Sequence, residues 1–167
     1  MRNWPTALNA VSPGVYEIRR LSEAQISQAF PLVREIAGSL SLTQWQRYAR
    51  RVLTNSRGSR SKNGIIVARR AGSIYLRGLC SYRTVPDLLA RDRLVVGCLA
   101  VPATIDCDSV ARELIRACQS IAEAHGCRSV QFQLVEPNRW IEPLLREAGF
   151  AIDRHAYVHE VASQAHA

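Results

Sequence analysis

With 167 residues, 47% of them hydrophobic and 22% charged, the chain can bury one substantial core without disulfides or metals. No apolar run approaches the roughly 18–20 residues that cross a bilayer, and residues 1–14 lack the apolar centre of a secretory signal, so a soluble cytoplasmic domain is expected. The formal net charge of +8 is carried almost wholly by arginine, Lys62 being the only lysine, and no zinc-finger or helix-turn-helix signature accompanies it to make nucleic acid the expected partner.

Residues 1–14, with Pro5, Pro13 and Gly14, have no periodicity and are expected to form a loose leader before a single domain over 15–161 and a tail over 162–167. Alternation over 15–20 predicts a half-exposed strand. Ser22 and Gln25 make a capping box, which opens a helix with Ile26, Ala29, Phe30, Val33 and Ile36 on its apolar face. Pro31 falls inside that pattern and should kink the helix or break it near Phe30, and Gly38 marks its end. Ser41 and Gln44 repeat the box before a second helix, whose apolar face is Leu42, Trp45, Tyr48, Ala49, Val52 and Leu53. Arg47, Arg50, Arg51, Arg57, Arg60, Lys62, Arg69 and Arg70 follow one another with no acid among them. The pattern is either a solvated basic face or a field for phosphates or an acidic substrate.

Residues 55–63 read as a loop, 64–70 as a strand, Ala71-Gly72 as a hairpin turn and 73–84 as the returning strand. Gly78 within that strand predicts a bulge or a close approach of backbone to its neighbours. After the connection 85–92, the apolar run Leu94, Val95, Val96, Cys98, Leu99 and Val101 predicts a strand buried on both faces, ended by Pro102. Val110, Leu114, Ile115, Cys118, Ile121 and Ala122 then recur at helical spacing, Gly126 closes that helix, and 129–135 supplies another strand. Strand, helix and strand in this order form a crossover unit, which places ligands beyond the carboxyl end of its first strand, at 101–109. A short helix closed by Gly149 follows, starting either from Asn138 as cap or from Pro143 in its first turn. Ile152 and then Tyr157 to Val161 supply the last strands. The five cysteines, Cys80, Cys98, Cys107, Cys118 and Cys127, make no close metal-ligand pair and read as buried thiols. His155 and His159 lack a third ligand, so no metal is expected.

This order of elements resembles the GNAT N-acetyltransferase superfamily over nearly the whole domain. The resemblance is carried by CLAVPATIDCDSVARELI and NRWIEPLLREAGF, which look like that family's central strand, pyrophosphate loop and helix, and its late helix ending in Gly-Phe. It implies an α/β (α+β) fold with a central mixed sheet of about six to seven strands flanked by helices. It also implies acetyl-CoA or another acyl-CoA as co-substrate and transfer of the acyl group to a primary amine on a small molecule or protein, with no membrane partner and a homodimer left open. Mapped by the motif, Leu99, Ala100 and Val101 would line the pantetheine arm, Asp106, Cys107, Asp108, Ser109, Val110 and Ala111 would form the pyrophosphate loop, and Asn138 would contact the arm.

Two departures stand out. The family's loop usually shows Arg or Gln, two residues, Gly, one residue, then Gly or Ala; of these only Ala111 is kept, and Asp106 and Asp108 add negative charge where a diphosphate would bind. By residue type, Asp108 reads as the helix cap and Asp106 as a loop acid pointing at water. The family's late-helix tyrosine, which protonates the leaving thiolate, is Leu145 here, so Tyr82, Tyr157 and Cys98 become candidate donors and Glu136 the candidate base. The acidic loop also supports an alternative: a GNAT-like domain without acyl-CoA, binding an acidic or nucleotide partner.

Overall fold

The structure, a computed structural model, describes residues 15–55, 62–86 and 92–152, apart from the side chains of 136–138. Strands β1 (Tyr16–Arg20), β2 (Asn63–Arg70), β3 (Leu76–Val85), β4 (Arg93–Ala100) and β5 (Ser129–Phe132) lie side by side in chain order. The first three pairings are antiparallel and β4 with β5 is parallel. A parallel pair cannot be joined by a tight turn, and the crossover is helix α3 (Cys107–Ala124). Helices α1 (Ile26–Ile36) and α2 (Leu42–Asn55) cover one face, while α3 and α4 (Glu142–Glu147) cover the other. Five strands are described, fewer than the six to seven expected; Ile152, expected to begin a last strand, lies in none, and the segment carrying Tyr157 to Val161 lies outside the described residues, as does the leader.

The two-residue period of a strand divides β2 between the faces: Ile65 and Val67 meet α1 and α2, and Ile66 and Ala68 meet α3. Gln44 and Ser41 exchange the reciprocal bonds of a full capping box, at 2.8 and 3.2 Å. At the earlier box the Gln25 Oε1 accepts the Ser22 amide at 3.2 Å, and a short 3-10 turn, Glu23–Gln25, precedes α1. Contrary to the expectation of a break, α1 continues through Pro31. Pro31 and Ser27, four residues before it, are both exposed, so the Ser27 carbonyl that loses its helical partner can be solvated by water.

Both readings of Gly78 hold. Ala68 pairs with Gly78 but Arg69 with Leu76, so Arg77 is an extra residue in β3. A Cβ on Gly78 would lie 2.8 Å from Val110 Cγ1 and 3.0 Å from Leu114 Cδ1. The glycine thus lets the start of α3 press onto the sheet. Strand β5 ends at Phe132, earlier than the apolar run suggests, and a 3-10 turn over Glu136–Ile141 leads into α4 with Pro143 in its first turn. Gly149 (φ +87°) ends α4, and Phe150 packs edge-on against Phe132 at 5.2 Å.

Candidate active site

The site is built where β4 stops being an ordinary strand. Ser81 pairs with Cys98 but Tyr82 with Val96, so Gly97 is a bulged residue in β4. On the opposite edge β5 follows β4 only from Arg93 to Val96, and the last bond between them runs from the Gln133 amide to the Val96 carbonyl at 2.9 Å. Beyond that bond the strands part. Among the described residues a Cβ built on Gly97 would have only Gln133 Oε1 nearby, at 4.0 Å, so the backbone at the bulge faces open space there.

That space is a cavity of about 650 Å³ between α1, α2 and the strands. Val33, Ile36, Leu40, Val52 and Val95 give it apolar walls, and Tyr48, Arg51, Asn55, Asn63, Ser81, Arg83 and Gln133 give it polar ones. Helical spacing explains one side, since Tyr48, Arg51, Val52 and Asn55 share a face of α2. The indole of Trp45 fixes that helix by donating to the Ile26 carbonyl at 2.6 Å. Tyr48 then reaches across the cavity and donates to Ser81 Oγ at 3.3 Å, opposite Cys98 in the β3–β4 register. Burial pushes the Cys98 thiol up to about 12, so it stays protonated and is a poor acid toward an ordinary thiolate.

At the start of α3 the structure corrects both readings of the acidic loop. Asp106, not Asp108, occupies the cap position, and its carboxylate makes no cap bond. It accepts hydrogen bonds from Tyr16, brought in by β1, and from Thr104 Oγ1 at 2.8 Å. These hydroxyls, Tyr16 first, hold its carboxyl below the usual range, and the positive charge of Arg77 acts in the same direction. Asp108 is exposed in the first turn of α3, where the helix dipole favours its charge.

The other expected site residues separate into groups. Leu99, Ala100 and Val101 are buried, as are Val110 and Ala111. Their side chains pack the core, leaving only backbone for a ligand. Cys107 is half-buried and Ser109 exposed. Tyr82 is buried on the α3 side, its ring against Gly64; burial raises its hydroxyl and nearby Arg20 partly opposes this. The residue borders the cavity, but its ring packs into the α3-side core rather than beside Ser81 and Arg83. Glu136 and Asn138 belong to the 3-10 turn after β5, their side chains outside the described set. Tyr157, His155 and His159 also lie outside the described residues. Leu145 is buried among α3 and α4 core residues.

The arginine cluster does not make one surface. Arg69 pairs with Glu17 at 2.8 Å, Arg70 acts on Tyr16, Arg47 and Arg50 are exposed along α2, and Arg51 lines the cavity. Arg57 and Arg60 lie outside the described residues.

No family model and no curated protein matches the sequence. Solved structures do match the fold. A probable acetyltransferase superimposes with a TM-score of 0.72 at 16% identity, covering 89% of this chain and 99% of its own. The glucosamine-6-phosphate N-acetyltransferase of Arabidopsis thaliana gives 0.70 at 12% identity, covering 88% and 99%. An aminoglycoside N-acetyltransferase in complex with CoA gives 0.73 at 14% identity, covering 87% and 94%. The chain has the GNAT acetyltransferase fold. Among its described residues no helix is long and apolar enough to cross a membrane.

Proposed function

We propose that this GNAT-fold chain is an acyl-CoA-dependent N-acyltransferase acting on a primary amine. The observation that carries the reading is the bulge at Gly97, placed where β4 parts from β5 and open to a cavity that can admit an amine. Backbone amides at such a bulge can hydrogen-bond the thioester oxygen and hold the charge that develops on it. The acceptor amine forms a C–N bond to the carbonyl carbon, the C–S bond breaks, the ammonium nitrogen gives up a proton and the thiolate gains one. Alignment of amine and thioester supplies most of the acceleration.

The backbone of Leu99, Ala100 and Val101 would hold the pantetheine arm, helped by Asn138, and the turn from Asp106 to Ala111 would hold the pyrophosphate. The fit is supported by the engagement of the Asp106 carboxylate with Tyr16 and Thr104, which leaves the Asp108 and Ser109 amides without a side-chain cap, while the Cys107 amide donates to the Thr104 carbonyl at 3.1 Å. Asp108 opposes it: a carboxylate about 6 Å from a phosphate charge costs on the order of 2–3 kcal/mol at an effective dielectric near 20, before screening. Glu136, on the turn that leaves β5, is assigned the role of base, and Tyr48 that of proton donor to the thiolate. The test is amine-dependent release of free CoA thiol. Glu136→Gln should lower turnover at least tenfold and leave acetyl-CoA affinity unchanged; full retained turnover removes Glu136 from the mechanism.

A further inference from the structure

We infer that the acceptor amine carries an acidic group, a carboxylate or phosphate, and that Arg51 and Arg83 select for it. The inference rests on the acyltransfer reading and narrows it to a substrate class.

Arg83 lies on the cavity side of β3, directly opposite Val95 of β4, two residues before the bulge. Arg51 lines the same cavity from α2. Neither guanidinium has an ion-pair partner among the described residues, in contrast to Arg69, Arg112 and Arg146, each of which is matched by a glutamate. Among the described residues that line the cavity none is a carboxylate, and the remaining polar groups, among them Asn55, Ser81 and Gln133, are neutral. Two unmatched guanidiniums beside low-dielectric walls concentrate anions and repel cations. Their planar forks also match the geometry of a carboxylate or phosphate.

The bulge and Arg83 are about 6–7 Å apart along the strand direction. Amine and acid can therefore sit in one molecule of the size of an amino acid or an amino sugar phosphate. The same field disfavours a polycationic amine such as an aminoglycoside, although one of the proteins that shares the fold is an aminoglycoside N-acetyltransferase.

The test uses amines in matched pairs that differ only in the acid: 4-aminobutyrate with its amide, and glucosamine 6-phosphate with glucosamine, plus kanamycin as a polycation. Dissociation constants are measured by calorimetry at low salt, without acetyl-CoA, and an acetyl-CoA titration is run beside them. At least one acidic member should bind tenfold or more tighter than its neutral twin and than kanamycin. Arg51→Ala with Arg83→Ala should bring each pair within threefold. Both arginines are exposed, so their removal spares the core, and Arg83→Glu should shift the preference toward kanamycin. Equal affinity within every pair, tighter binding of kanamycin, or no binding of any acidic member at 10 mM overturns the inference. Loss of acetyl-CoA binding with acid-selective amine binding intact would count against the acyltransfer reading alone.

Discussion

Replacing Gly97 with leucine separates function from stability. Gly97 is not among the glycines with positive φ, so a side chain there brings no left-handed strain. Among the described residues its Cβ meets nothing nearer than Gln133 Oε1 at 4.0 Å, so the isobutyl group enters the cavity rather than the core. Removing a glycine also lowers the entropy of the unfolded chain, worth roughly 0.4–1 kcal/mol, which offsets the exposure of a new apolar group. Net stability should change by no more than about 1 kcal/mol, a shift in Tm of about 2–4 °C for a chain of this size. Amine-dependent thiol release should fall at least a hundredfold, about 2.7 kcal/mol of transition-state stabilisation, because the side chain occupies the line of attack on the thioester. Calorimetric melting and initial rates check the two halves. Full turnover in a folded Gly97→Leu protein would refute the placement of the reaction at the bulge, and a much larger fall in Tm would show that Gly97 is packed rather than open.

Gly78→Ala should do the reverse: its Cβ meets the stiff side chain of Val110 at 2.8 Å, and overpacking should cost about 1–3 kcal/mol, read as a lower denaturation midpoint. Tyr16→Phe should raise the Asp106 pKa seen by NMR titration, since its hydroxyl is the main influence holding that value down. Because the folded-state pKa is depressed, this stabilisation is present above the unfolded pKa of about 3.9 and lost as pH falls through the folded value. The variant should be less stable than wild type at pH 6 and converge with it near pH 2; an equal gap at both would rule the linkage out. Asp108→Asn should tighten acetyl-CoA binding roughly tenfold while costing about 0.3–1 kcal/mol of helix stability, and unchanged affinity would mean that the loop charge does not oppose the ligand.

The order of strands and helices was legible because each apolar run is bounded by its own signal: the Ser41–Gln44 box, the hairpin at Gly72 and the glycine ending α3 all stand where the pattern puts them. The close approach at Gly78 was legible for the same reason, as a glycine inside a strand has few other uses. The site was less so. Gly97 interrupts an apolar run without announcing a bulge, because register depends on the neighbouring strand. Tyr48 counts as one more apolar position on α2 until the cavity shows what it faces. The Tyr16–Asp106 bond joins residues 90 apart, and no local pattern reports such a pair. Arg51 was visible only as part of a basic cluster that the fold then divides among separate locations.

Calorimetric titration of the protein with acetyl-CoA and with CoA, at low and moderate salt, tests the central claim most directly. The account predicts one site per chain in the micromolar range, weakened in Asp106→Ala because the Tyr16 and Thr104 anchor is lost. No heat of binding for either ligand at millimolar concentration would contradict it and leave a GNAT-fold binding module in its place.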